Sequence, residues 1–221
     1  VIGILFMNKS GRFFDDFADR FDTFYDGKRS RWMQWIDLRF RRDMFVRFAM
    51  TFDFLGDLNG KSVLDIGCGS GPYLFEALSR GADHIIGIDP APRMLALAKQ
   101  RLSQTEMIDK VTLLEGYFPQ TCPEKTVDYA IVMGVMDYIS DPLSFLSSLR
   151  GIITGGAVIS FPSAHWFRTP FRKARYMIRR CPIFFYTENQ IQELLKKTGV
   201  EHYTITKIPG AGMDYVVNIS K

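Results

Sequence analysis

The stretch Val63-Leu64-Asp65-Ile66-Gly67-Cys68-Gly69-Ser70-Gly71 constrains this chain more than any other. Its apolar start, from Ser62 to Ile66, reads as a short strand that ends in three alternating glycines. Pro72 follows at the first turn of a helix, where a missing N–H costs nothing. A strand, a glycine turn and a helix N-terminus present backbone N–H groups to a ligand's polar atoms. The acids beside the loop narrow the choice of ligand. Asp65 lies inside the strand end, where a carboxylate repels a pyrophosphate but pairs, directly or through water, with an amino-acid ammonium. Asp89 ends the next strand, the position from which a carboxylate accepts both hydroxyls of a ribose. Pro72 stands where the dinucleotide fingerprint places its last glycine, so the spacing departs from that fingerprint.

Around this loop the hydrophobic period alternates. Strands are expected at 62–66, 84–89, 111–115, 127–133 and 157–161, with helices near 72–80, 92–103 and 142–149 between them. A helix from Thr187, read as an N-cap, runs to Lys197 and stops at Gly199. Two last strands, about 201–208 and 213–219, flank Pro209-Gly210-Ala211-Gly212 as a hairpin. The expected fold is α/β: a doubly wound, mostly parallel seven-stranded sheet with a terminal antiparallel hairpin. Residues 1–60 read as an N-terminal helical extension or lid, rich in Phe and Trp at spacings of three and four. Residues 61–221 form the core, interrupted by a basic, aromatic insertion at about 163–185.

These residues resemble the class I S-adenosylmethionine-dependent methyltransferases. Asp65 to Gly71 is similar to the family's first motif and Ile86-Gly87-Ile88-Asp89 to its second. Glu115-Gly116-Tyr117-Phe118 is similar to the segment beside the adenine, and Val127 to Gly134 to the fourth-strand motif. The resemblance spans about Lys61 to Lys221 and implies S-adenosylmethionine as cofactor, with S-adenosylhomocysteine as product. It implies that Asp65, Gly67 and Gly69 hold the methionine end and Asp89 the ribose. Cys68, inside the loop, and Pro90, after Asp89, join the cofactor set, Cys68 as a small packed residue and not a nucleophile. Met94 corresponds to a residue that packs on the adenine, with a core helix position as the alternative. Tyr117 and Phe118 line the adenine side, the alternative being the third strand's own core. Met133 and Gly134 face the sulfonium. Phe21 to Tyr25 is similar to an aromatic lid helix, from which Tyr25 touches cofactor or substrate; packing of the lid onto the sheet is the alternative.

The end of the fourth strand narrows the acceptor. Met133-Gly134-Val135-Met136 is not the Asn/Asp-Pro-Pro-aromatic sequence of methyltransferases acting on exocyclic base amines. A Pro-Cys nucleophile and the paired glutamates of arginine methyltransferases are also missing, so a small-molecule acceptor is favoured over nucleic acid or protein. Asp137, Tyr138 and His165 are candidates for positioning or deprotonating it, a structural role being the alternative for each. In the insertion, Trp166, Arg168, Arg172, Arg175 and Tyr176 suit a flat or lipid-like acceptor bearing an acidic group. The alternative is a membrane-surface patch through which a greasy substrate is collected. Oxygen is favoured over nitrogen or carbon as the methylated atom, from family frequency alone.

The remaining composition sets broad limits. A formal charge of +4 gathers in Lys28 to Arg47 and Arg168 to Arg180. Three cysteines and three histidines have no metal-ligand spacing, so no metal is expected, and a reduced, cytoplasmic compartment fits the thiols. No apolar run approaches the roughly 20 residues of a membrane span. Met7 is expected to be the natural start, with residues 1–6 upstream of it. The rival readings are aminopropyl transfer, which the absence of an acidic polyamine pocket argues against, and a non-catalytic cofactor-binding accessory subunit acting through its basic face. A dehydrogenase conflicts with Asp65 and Pro72. Removing the charges of Arg172 and Arg175 is expected to raise acceptor KM more than it changes cofactor affinity; steady-state kinetics showing equal losses in both would refute a substrate role.

Overall fold

A computed structural model describes residues 44–163, 183–208 and 214–221. Tyr25, His165, Trp166, Arg168, Arg172, Arg175 and Tyr176 lie outside the described residues. Within them, helix α1 (44–55) precedes β1 (Ser62–Ile66), α2 (Pro72–Ser79), β2 (His84–Asp89), α3 (Pro92–Leu102) and β3 (Val111–Glu115). Then follow β4 (Val127–Val132), α4 (Pro142–Ile152), β5 (Ile153–Phe161), α5 (Glu188–Lys197), β6 (His202–Lys207) and β7 (Tyr215–Ser220). The seven strands form one sheet in the order β3-β2-β1-β4-β5-β7-β6. The first five are parallel, and β7 runs antiparallel between β5 and β6. The expected doubly wound sheet with its terminal hairpin is the observed one.

Alternation along each strand builds two cores. Leu64, Ile66, Ile86, Ile88, Val132 and Ile159 point to the face covered by α4 and α5 through Phe145, Leu149, Ile191 and Leu195. Val63, Ile85, Ile131 and Val158 point to the opposite face, where Phe52, Leu74, Leu95 and Leu102 of α1, α2 and α3 cover them. Strands buried on both faces explain the near-continuous apolar runs. Register between β1 and β4 is held at their first residues. Asp128 Oδ2 accepts from both the N–H and the hydroxyl of Ser62 at 2.8 Å each, while Asp128 N donates to Ser62 Oγ at 2.9 Å. Those bonds to Ser62 hold the Asp128 carboxyl below its ordinary range.

Helix ends follow local chemistry. Asp141 caps α4 by accepting from Ser144 N at 3.0 Å, and Thr187 forms the expected cap of α5 as a reciprocal box with Gln190. One boundary departs from expectation. β5 begins at Ile153, directly after α4, and not at Ala157. Thr154-Gly155-Gly156 reads as a loop by composition. A side chain at Gly156 would strike the carbonyl oxygen of Ile219 on β7, so the close approach of two strands is what demands glycine there.

The extension expected over 1–60 is described from residue 44, and its last part belongs to the core. Phe52 and Leu58 are fully buried. Phe48 and Phe52 lie 5.0 and 6.0 Å from the Tyr73 ring, and the Arg80 guanidinium sits 4.8 Å above Phe52. Gly60 N then donates to Gly81 O at 3.1 Å. α1 therefore runs alongside α2 in the same direction, descending from the edge of the sheet where the glycine loop lies. Phe52→Ala is expected to cost about 3 kcal/mol by urea unfolding; a loss below about 1 kcal/mol would mean that α1 is not docked.

Candidate functional site

In this strand order the winding reverses between β1 and β4. Connections from β1 proceed outward to β2 and β3, whereas β4 starts the opposite half. At such a switch point the loops leaving neighbouring strand ends diverge and open a crevice at the carboxyl edge. Two loops bound it here: Gly67–Gly71 after β1 and Met133–Tyr138 after β4.

The glycine loop is pinned by the end of β2. Gly67 N and Cys68 N both donate to Ile88 O, at 2.7 and 3.1 Å. Asp89 Oδ2 accepts from Gly69 N at 2.9 Å and its Oδ1 from Ala91 N at 2.9 Å. Arg101 of α3 adds a bond to the buried Ser70 hydroxyl at 3.1 Å. Gly67 has φ +75°, and a Cβ there would lie 2.5 Å from Cγ2 of Val135, so the β1 and β4 loops touch at this glycine. Cys68 fills the space beside Gly87, where a Cβ would meet its sulfur at 3.0 Å. Burial, and then the charges of Asp65 and Asp89, push its thiol well up, which suits a packed residue.

Asp65 is the electrostatic anomaly of the molecule. It is 1% exposed, and its Oδ2 is buried with no hydrogen-bond partner. Burial, and next the charge of Asp89, push its carboxyl from 3.8 up to about 8. A buried carboxylate without a partner is costly unless a cation or donor joins it. The site thus has a place for a positive group and disfavours a second negative one.

The other residues expected to line the site divide. Asp89 is buried with one carboxylate oxygen engaged by the glycine loop and the other by the Ala91 N–H, and half-buried Pro90 follows it. Met94 is buried in a small cluster of its own with Ala91 and Leu97, apart from the two main cores. Tyr117 is half-buried, whereas Phe118 is buried edge-on against Phe145 with ring centroids 5.2 Å apart. Phe118 is thus a core residue, the alternative its sequence context left open. Met133 and Gly134 lie at the β4 exit, and a Cβ on Gly134, φ +71°, would meet nothing within 4 Å. Asp137 and Tyr138 occupy a single helical turn, Met136–Tyr138, beyond it. That turn is laced to the segment returning from the insertion: Phe184 N donates to Asp137 O at 2.8 Å, and the Tyr186 hydroxyl to Met136 O at 3.3 Å. Burial, and then the Asp137 charge, push Tyr186 up to about 12, so it stays a donor.

Sequence reasoning missed Arg101 and Ser160, and gave no separate role to Ser70, inside the glycine loop, or to Tyr186, grouped with the insertion's aromatics. Ser160 alone left a signal, as the single polar residue in Ala157-Val158-Ile159-Ser160-Phe161. It is buried in β5, and its Oγ accepts from Gly134 N at 2.8 Å.

A methyltransferase-domain family matches residues 40–205. The chain belongs to this family. A tRNA U34 carboxymethyltransferase from Shewanella woodyi is 33% identical over 127 residues, 56% of this chain and 37% of that protein. A ribosomal protein L11 methyltransferase from Vibrio parahaemolyticus is 39% identical over 98 residues, 44% of this chain and 31% of that protein. This methyltransferase-domain chain thus matches about a third of the length of these curated relatives. Magnesium protoporphyrin IX methyltransferase from Synechocystis, solved with bound S-adenosylhomocysteine, superposes with a TM-score of 0.70 at 19% identity. That match covers 92% of this chain and 94% of the other, and shows a shared fold.

Asp65 gives the methyltransferase-domain chain a testable pH signature. The folded protein holds this proton more tightly than the unfolded chain does, so its contribution to stability is complete below about pH 4. It is lost as pH rises to about 8. Asp65→Asn cannot titrate. Without ligand, its Tm is expected to match the wild type near pH 4 and to exceed it by about 10 °C or more at pH 8. Parallel Tm-against-pH curves would show that Asp65 titrates alike in the folded and unfolded chain.

Proposed function

We propose that this chain binds S-adenosylmethionine in the crevice between the β1 and β4 loops and transfers its methyl group to a small-molecule acceptor. The observation that carries the reading is the buried, unpartnered Oδ2 of Asp65 beneath the glycine loop. A methionine ammonium supplies the cation that this oxygen lacks. A dinucleotide would instead bring a pyrophosphate toward the buried Asp89 carboxylate and offer Asp65 no cation, an arrangement costly in a low-dielectric site. Bound there, S-adenosylmethionine supplies an electrophilic methyl group on a sulfonium.

In this reading the chain's residues orient and desolvate. Asp65, Gly67 and Gly69 hold the amino-acid end, and Asp89 takes the ribose hydroxyls with the lone pairs its two backbone bonds leave. A carboxylate offers about four acceptor sites, so both duties are compatible. Met94 and Tyr117 flank the adenine, and Met133 with Gly134 borders the reacting methyl. Methyl transfer needs an in-line nucleophile held close, and fixed proximity supplies much of the barrier reduction. Asp137 and Tyr138, on the turn beyond Gly134, are offered as the groups that position or deprotonate the acceptor. The open left-handed turn at Gly134, in place of a Pro-Pro-aromatic sequence, supports a small acceptor; an oxygen nucleophile is preferred from family frequency alone.

Relatives named for tRNA and for a ribosomal protein make those acceptors the natural controls. Transfer of labelled methyl to tRNA, and to no aromatic or lipid-like acid, would overturn the small-molecule reading. For the cofactor, calorimetry is expected to show micromolar S-adenosylhomocysteine binding and none of NADH. Asp89→Ala is expected to lose at least about tenfold in affinity, as for removal of a charged hydrogen-bonding group. Equal binding of NADH, or no binding of S-adenosylhomocysteine, would reject it.

A further inference from the structure

The β4 side of the crevice is shaped by a residue that does not reach it. β4 ends at Val132, which pairs with Ile159 of β5. The chain then turns through Gly134 in the left-handed region, φ +71°. Gly134 N would otherwise be an unpaired donor at the strand end. It is taken at 2.8 Å by Ser160 Oγ, one residue further along β5 and 1% exposed. After the turn, Val135 is delivered onto Gly67, with its Cγ2 2.5 Å from where a Cβ of Gly67 would stand. A buried hydroxyl thus connects β5, through Gly134 and Val135, to the first glycine of the β1 loop. Losing the hydroxyl would leave the half-buried Gly134 N–H without this partner, and so would favour a different turn.

We propose that Ser160 is a positioning residue of the cofactor site: by accepting the Gly134 N–H it fixes the turn that holds Val135 against Gly67, and so sets the wall met by the amino-acid end of the cofactor. This inference rests on the cofactor reading above and deepens it. Ser160 acts through Gly134 and touches no ligand. The adenosine portion is held from the other side, by Asp89 and the segments after β2 and β3. The effect of Ser160 is therefore selective for one end of the ligand.

The test compares two ligands that differ only at that end. S-adenosylhomocysteine carries the amino-acid head, and 5′-methylthioadenosine lacks it. Calorimetry on Ser160→Ala is expected to show S-adenosylhomocysteine affinity lowered about tenfold and 5′-methylthioadenosine affinity within twofold of wild type. Ser160→Cys, nearly the same shape with a weak acceptor, is expected to show the same selectivity and serves if the alanine variant does not fold. Equal losses for both ligands would reduce Ser160 to a structural residue, and unchanged affinity for both would overturn the proposal outright. In either case the wild type still binds S-adenosylhomocysteine, and the cofactor reading stands. A wild type that binds neither ligand overturns that reading and this proposal together.

Discussion

The backbone amides of Gly67 and Cys68 converge on one carbonyl, that of Ile88, and the carboxylate of the next residue, Asp89, takes the amide of Gly69. This junction ties the strand–loop–helix unit to β2, adding to the loop's internal backbone bond, from Gly71 N to Cys68 O at 2.9 Å. The loop's orphan donors find partners on the neighbouring strand. The arrangement fixes two acids at adjacent strand ends, Asp65 on β1 and Asp89 on β2. Their mutual repulsion, added to burial, drives Asp65 toward the neutral form. The loop's anchoring and the site's demand for a cation thus share one origin. A carboxylate used as a structural clamp also charges the floor of the crevice.

The second half of the site is assembled across a greater sequence distance. β4 and β5 are paired in parallel, and a single buried hydroxyl on β5 determines how the chain leaves β4. The turn that follows meets the segment 183–186 through Asp137, Met136 and Tyr186. The crevice therefore has one wall anchored in β2 and another in β5, with β1 and β4 between them. Motion of either wall requires breaking bonds to a strand that is itself buried on both faces.

What was legible in the sequence was what local chemistry decides. The glycine loop, Pro72 at the start of α2, the Thr187 cap and the alternating strands follow from neighbours in the chain, and the structure has each. Asp65 was readable as an acid in an apolar strand, although only packing shows that one oxygen lacks a partner. Partners far apart in sequence were not readable. Gly156 resembles a loop residue until β7 is laid beside it, and Phe118 resembles a ligand contact until Phe145 is found against it. Arg101 looks like any solvated basic residue on a helix, and its bond to Ser70 spans 31 positions. Ser160 stood out as polar among apolar neighbours, but its donor comes from another strand.

The bridge between Ser163 and Tyr186 has a different kind of consequence. Whatever the chain does between these residues, it leaves and rejoins the sheet at one place, beside the turn that carries Asp137. Closing a flexible chain between two fixed points depends weakly on its length, since doubling it adds only about 0.6 kcal/mol of closure entropy. Mutation can therefore lengthen, shorten or rewrite the excursion while the junction at β2 stays untouched. The length and sequence between Ser163 and Tyr186 and the bonds that pin the glycine loop are thus separately heritable features of one chain, free to diverge at different speeds.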